Sequence, residues 1–442
     1  MTPIRVKTAL FGVIAAALRG VPFPALAAAQ SGVPLHYPPT HRGAQVDDIR
    51  GVRVADPYRW LEDVISPDVK RWIDAQNAFT EAFLKDAAGA QREKIRARVE
   101  ELWNYRKVRP PRFGGDKLYV IDNSGLDEQP VIYVQDRPKA PMRVLLDANS
   151  LSADGTVGLV TEAPSPDGRY FAYAVSIGGS DWRQIRIRDV KTGRDLADTI
   201  QGVRRSRIGW TKDGRGFFYV RSDFDIGART ANPIGVDRAP RVFYHRVGER
   251  QVQDQLIFER PDHPDWLFDV TVSDDGLYAV ISASRGAEEQ NRLFFIDLDR
   301  PKRPNIGAPL VTLFDNPDAK YQFVSSRGSL FYLLTTKDAP HGRVVAVDIN
   351  APHPSRWTTV VRETFDALVG AWRVGDRMLA HRLKQGRQRR ASAMRIVKPS
   401  AQISFHASHL ARQSLNRLRE HGSSVNGRVS VVGFLLFAER QK

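Results

Sequence analysis

The sequence predicts a mainly β protein: a β-propeller of about six recognisable blades behind a short α-helical segment. Three observations predict it. A Gly-containing turn recurs before an apolar run, and its glycines, Gly115, Gly168, Gly214, Gly276, Gly328 and Gly375, are spaced by 53, 46, 62, 52 and 47 residues. A later apolar run ending in Asp recurs as well, in IRIRDV, LFFIDL and VVAVDI. A period near 50 residues with several strands in each unit is the signature of a propeller. Finally, helical spacing of apolar residues is confined to the chain before residue 112, and short alternating runs replace it afterwards.

Taken in order, the first 29 residues read as a secretory signal, which implies a periplasmic or secreted protein. Arg5 and Lys7 give a positive start, Ala9 to Leu18 an apolar run, and Ala27 to Ala29 a small-residue cleavage site before Gln30. The run is shorter than the roughly 20 residues a spanning helix needs, so no membrane span is expected after cleavage. Residues 30–111 carry the helical segment. Ser66-Pro67 is an N-cap with Pro at the first helical position. Val69, Trp72, Ile73, Gln76, Phe79 and Phe83 share one face, Gly89 is a stop, and a second helix carries Ile95, Val99 and Leu102. Residues 112–383 hold the propeller units. SPDGRYFAYAVS, TKDGRGFFYV, SDDGLYAVIS and SSRGSLFYLL are the clear turn-and-strand copies; GGDKLYVI and VGDRMLAH are weaker ones. An insertion around Asp223 to Asp237 fills the 62-residue interval. The pattern breaks after Leu383, so the sixth unit is expected to keep its first strand only. Residues 384–442 form an aberrant basic tail without Asp, Tyr or Trp. A change of reading frame accounts for that tail better than a genuine basic extension does.

Composition narrows the function. The 442 residues include no Cys, which excludes disulfides, thiolate metal sites and a Cys nucleophile. Of the net charge of +16, ten units sit in the last 59 residues, which hold 12 Lys/Arg against 2 Glu. A charge so localised describes the tail, and KQGRQRR (384–390) lacks a folded recognition motif, so specific nucleic-acid binding is not expected. The ten histidines show no metal-ligand spacing, and no phosphate-cradling Gly-rich loop is present, so neither metal nor cofactor is expected. No G-x-S-x-G occurs anywhere. GGSDW at Gly178 is the nearest approach to a nucleophile elbow, and Ser180 there reads as a hairpin turn residue.

DPYRWLED (56–63), WIDAQN (72–77), SPDGRYFAYAVSIGGSDW (165–182) and GWTKDGRGFFYVR (209–221) together resemble the prolyl oligopeptidases, from about Tyr37 to Leu383. The resemblance implies a seven-bladed type of propeller, here incomplete, inserted between an N-terminal helical segment and a C-terminal α/β-hydrolase domain. It also implies a serine-type endopeptidase that cleaves short peptides after proline with a Ser/Asp/His triad on that hydrolase domain. A hydrolase sheet with its helices takes roughly 200 residues. The 59 residues after Leu383 are too few, so no catalytic residue is assigned and this chain alone is expected to be inactive. On the same resemblance, DPYRWLED fastens the N-terminal segment to the rest of the enzyme, and Arg205 and Phe258 fall at the propeller positions that wall the substrate channel. Arg205 departs from the apolar character expected there. The competing reading is a non-enzymatic propeller that binds a peptide or protein partner.

Overall fold

The computed structural model describes residues 35–63, 66–222, 239–384, 387–388 and 392–395. The expected signal sequence, the insertion around Asp223 to Asp237 and nearly all of the basic tail lie outside them.

The helical segment comes first. Ser66 has an extended backbone, and its hydroxyl accepts the Val69 N–H at 3.2 Å, which satisfies one of the free donors at the start of helix α1 (Pro67–Trp103). The expected stop at Gly89 is a kink one residue earlier: Ala88 leaves helical geometry at φ −144°, and the chain then resumes a helix. Arg92 reaches back across the kink to Glu81. Of the apolar face read from the sequence, only Val69 is buried; Ile73 and Phe83 are exposed, as are Ile95, Val99 and Leu102 beyond the kink.

The contacts of DPYRWLED among the described residues lie within the N-terminal segment. Arg59 binds Asp56 and Asp47, and the Trp60 indole N–H donates to the His41 carbonyl at 3.0 Å. Trp60 meets Trp72 of α1 edge-on at 6.5 Å, while Trp72 donates to Thr40 Oγ1 at 2.9 Å. The motif thus ties the extended chain of residues 38–63 to the first turns of α1.

Six antiparallel blades follow. Blade 1 comprises Arg112–Gly114, Lys117–Asn123, Val131–Gln135 and Met142–Asp147. Blade 2 comprises Val157–Pro164, Tyr170–Ile177, Arg183–Asp189 and Arg194–Val203. Blade 3 has Gly209–Trp210, Gly216–Arg221, Arg241–Arg246 and Gln255–Glu259, and joins blade 2 through a Val203–Arg221 pairing. Blade 4 has Trp266–Val272, Tyr278–Arg285, Asn291–Asp297 and Leu310–Phe314. Blade 5 has Tyr321–Arg327, Leu330–Thr335, Arg343–Asp348 and Thr358–Val361. Blade 6 corrects the sequence expectation. It contains two long strands, Ala367–Val374 and Arg377–Lys384, and the second of these also pairs with Arg387–Gln388 and Ser392–Arg395. The copy at VGDRMLAH, read as a first strand, is the turn into the second; the alternation in TFDALVGAW was hidden because a bulge interrupts it before Gly370.

Every recurrent turn glycine links the first strand of a blade to its second, and all six have positive φ, between 56° and 74°. The turns at Gly168, Gly214 and Gly276 share a hydroxyl–Asp arrangement, with Thr211 and Asp213 at the second of them. Ser165 Oγ donates to Asp167 and accepts the Tyr170 N–H; Ser273 repeats both bonds with Asp275 and Tyr278. Neighbouring turns also touch. The Gly115 N–H donates to the Pro166 carbonyl at 2.7 Å, and a Cβ on Gly168 would stand 2.4 Å from the Gly114 carbonyl oxygen. Glycine is therefore required twice over at Gly168, for its backbone angle and for its neighbour. The Asp-ended strands are third strands. Asp189, Asp297 and Asp348 each accept a backbone N–H two or three residues on, which starts the turn to the fourth strand.

Five apolar clusters fill the five seams between consecutive blades. Tyr119, Ile132, Phe171 and Tyr173 pack between blades 1 and 2; Ile185, Ile187, Phe217 and Tyr219 between blades 2 and 3. Alternate residues of each strand face opposite neighbours, so both faces of a blade are apolar.

Candidate functional site

The loops that carry the chain from one blade to the next emerge at the end of the blades opposite the glycine turns. The connection from blade 2 to blade 3 places arginines there. Arg205 is exposed and left-handed, at φ 50°, an uncommon conformation for a side chain of its size. Arg204, beside it, is buried; it donates to Asp181 at 2.8 Å and lies 5.7 Å from the Trp182 ring centroid. Arg207 pairs with Asp269 at 3.1 Å. Burial raises the Asp269 carboxyl above the usual carboxylate range despite that cation.

The strand ends extend this cationic patch. Val203 pairs with Arg183 on one side and with Arg221 on the other, and Arg221 pairs with Arg241. Like charges directly across a ladder repel. An aromatic ring separates them here: Phe243 lies 3.9 Å from the Arg221 guanidinium and 5.7 Å from that of Arg241. Burial lowers the pKa of Arg183; Asp181 opposes that shift and the Arg205 cation adds to it. Such a face suits carbonyl oxygens and carboxylates.

Phe258 lies elsewhere. It occupies the outer strand of blade 3, opposite Val242, and its ring packs at 5.1 Å against both Phe268 and Phe294 in the seam with blade 4. The structure thus brings Arg205 into the loop-end arginine patch and places Phe258 in a core seam.

Ser180 is a turn residue. Its hydroxyl accepts the Trp182 N–H and its N–H donates to the Ile177 carbonyl. One Ser–His hydrogen bond occurs among the described residues, His353 Nδ1 with Ser355 Oγ at 2.8 Å. Both side chains are exposed, and the same nitrogen caps the Ser355 N–H of a short 3-10 turn. A base needs its far nitrogen on the nucleophile and its near nitrogen on an orienting carboxylate; this pair has neither.

Sequence reasoning missed a buried polar cluster between blades 2 and 3. His245 is fully buried, with Nδ1 2.7 Å from Asp254 and Nε2 3.5 Å from Asp198. Tyr219 donates to Asp254 at 2.6 Å, and burial first, then the Asp254 charge, raises its phenol well above 10. Gln251 imitates a strand by exchanging two hydrogen bonds with the Gln201 backbone. The five residues come from strands and turns dispersed through two blades, so no local spacing announces them. Their interior position and the short Asp254 bonds to His245 and Tyr219 make them a polar clasp between blades, although His245 Nε2 and Asp198 Oδ2 lack a hydrogen-bond partner among the described residues. Among the described residues no group of three His, Asp or Glu side chains could hold a metal ion, and no helix is long and apolar enough to cross a membrane.

The geometry defines an antiparallel propeller module whose described residues contain no serine-hydrolase array. Comparison with known proteins then places it: residues 38–421 match the family of the prolyl oligopeptidase N-terminal β-propeller domain, and the chain belongs to that family. It is 34% identical over 355 residues to the prolyl endopeptidase of Elizabethkingia meningoseptica, covering 80% of this chain and 48% of that one. It is 35% identical over 347 residues to prolyl oligopeptidase A of Galerina marginata, covering 72% and 46%. The solved structure of prolyl oligopeptidase B from Galerina marginata, bound to a 35-residue hydrolysis and macrocyclisation substrate, superposes with a TM-score of 0.70 at 27% identity, covering 82% of this chain and 53% of that one. The chain spans about half the length of the curated relatives it matches. What it matches is the N-terminal, propeller portion of prolyl oligopeptidase-type peptidases.

Proposed function

We propose that this chain is the access-limiting half of a serine endopeptidase that cleaves short peptides after proline, and that on its own it hydrolyses nothing. In the proposed whole enzyme, an activated serine would attack the carbonyl after proline, with a histidine as base and an aspartate orienting it. Those three would stand on an α/β-hydrolase domain, and the propeller would admit only slender, short chains to them. The half-length match to prolyl endopeptidases carries this reading. The loop-end arginines, Arg205 among them, are the groups of this chain that would meet peptide carbonyls or a peptide carboxylate.

Inactivity follows from chemistry. Acyl transfer needs a nucleophile, a base and oxyanion donors within hydrogen-bond reach of one another. Among the described residues, Ser180 faces its own turn, Ser355 is capped by His353 Nδ1, and His245 is enclosed without a serine partner. The purified chain is expected to give no turnover of a chromogenic peptide ending in proline and no labelling by a fluorophosphonate. Labelling that maps to one serine and vanishes when that serine becomes alanine would overturn the reading.

A further inference from the structure

A cavity of about 380 Å³ opens where the loop from blade 3 to blade 4 meets the hairpin of blade 4 and the loop into blade 5. Its volume falls in the range of small-molecule sites, roughly 300–1,000 Å³. Its floor is Trp266, the first residue of blade 4, which is almost wholly buried. The His263 ring stacks on the indole at 4.2 Å, nearly parallel, and the Arg260 and Arg292 guanidiniums lie 4.4 and 4.1 Å from its centroid. An indole flanked by three such groups is held in one orientation.

The arginines around the indole differ in how their charge is met. Arg260 binds Asp262 through two hydrogen bonds of 2.9 and 2.8 Å, and that contact, chiefly the hydrogen bond, lowers the Asp262 carboxyl to about 2. Arg285, on the rim, donates to Asp265 at 2.8 Å. Arg292 has only a long contact, 3.8 Å, to Asp315, although its side chain is just 18% exposed. A partly buried guanidinium without a close anion is able to take one up. Its position is fixed from behind. Asn291, its neighbour, donates to Ser282 Oγ and to the Tyr321 carbonyl and accepts the Tyr321 N–H at 2.7 Å, which clamps the start of that strand to blade 5.

We propose that this cavity binds a monocarboxylate carried on an apolar or ring-shaped body, with the carboxylate on Arg292 and the body against the Trp266 edge of the cavity. The planar fork of a guanidinium matches a carboxylate with two parallel hydrogen bonds. The other lining charges limit the ligand to one negative unit. Arg285 is offset by Asp265, and Glu288 faces the same space, so a phosphate dianion is repelled about twice as strongly as a monoanion. Carboxylates of this kind come from a peptide C-terminus or from an acidic side chain, and both present the same fork-shaped acceptor.

Isothermal titration of the full chain tests the site with three probes: N-acetylphenylalanine, its carboxamide, and an N-acetylglutamate whose α-carboxyl is a methylamide. The terminal acid is expected to bind saturably and the carboxamide at least tenfold more weakly. Arg292→Gln should weaken the acid tenfold or more while leaving the thermal midpoint near that of the parent. If that variant does not fold, the comparison of acid with carboxamide on the parent chain decides alone. Tighter binding of the terminal acid than of the side-chain acid assigns the site to peptide C-termini; the reverse assigns it to acidic residues. Equal binding of acid and carboxamide, or no saturable binding of either acid, overturns the proposal.

Discussion

At the residue scale, several charged groups are placed by competition between burial and pairing, and Glu162 is the clearest. Its side chain is 5% exposed, on the first strand of blade 2. Arg109 and Arg112 approach it only to 3.5 Å each. Burial wins: it raises the Glu162 carboxyl above its ordinary value of 4.5, against both arginines. A carboxyl whose folded pKa lies above its unfolded value keeps its proton more readily in the folded state. Its contribution to stability is therefore full below the ordinary carboxyl range and is lost as pH rises through the folded value. Glu162→Gln is accordingly expected to flatten the decline in urea midpoint between pH 4 and pH 7 and to leave the pH 7 midpoint equal to or above that of the parent. A lower midpoint for the glutamine at pH 7, with an unchanged slope, would mean that the two arginines outweigh desolvation after all.

At the element scale, the first-to-second-strand turn is the unit that the sequence announces most openly, because its glycine, its hydroxyl and its Asp all serve backbone geometry within six residues. Gly168 and Gly328 separate two parts of that requirement. Both are left-handed, at φ 72° and 56°. A Cβ at Gly328 would meet nothing within 4 Å, whereas at Gly168 it would strike the Gly114 carbonyl of the neighbouring blade. Gly328→Ala should cost about 1 kcal/mol, the backbone penalty alone. Gly168→Ala should cost at least about 1 kcal/mol more, since a backbone atom of another blade must move. Equal losses in chemical denaturation would show that the turns do not bear on one another. This contrast also marks what the sequence could reveal. Turn position, the blade repeat and the N-cap at Ser66 are local and were legible. The last blade was under-read because its bulge before Gly370 breaks the alternation, and the helix stop moved from Gly89 to Ala88. Nor did the sequence show that Phe258 fills a seam, that Val203 links two blades into one sheet, or that His245 meets Asp198 and Asp254, since each contact joins strands far apart in the chain.

At the scale of the whole molecule, stability comes from seams rather than from one core. Each blade contributes both faces, and among the described residues apolar clusters join blades 1 to 2, 2 to 3, 3 to 4, 4 to 5 and 5 to 6, with none joining 6 to 1. The two outer faces show the consequence. On blade 6, Val369 and Trp372 are 44% and 41% exposed; on blade 1, Met142 and Val144 are 47% and 53% exposed. These side chains have the character of the five filled seams, yet among the described residues they belong to none of the apolar clusters. Two such faces on one chain complement each other between molecules, and a head-to-tail contact of that kind does not close after one step. The chain as it stands is therefore expected to elute from a sizing column as a mixture whose mean mass falls on dilution over about a hundredfold range. Trp372→Glu and Val144→Lys should each move it toward the monomer, because a charge on either face must be desolvated when the two faces meet. A single monomer peak at every concentration, or a mixture indifferent to both substitutions, would show that the outer faces of blades 1 and 6 are covered within one molecule.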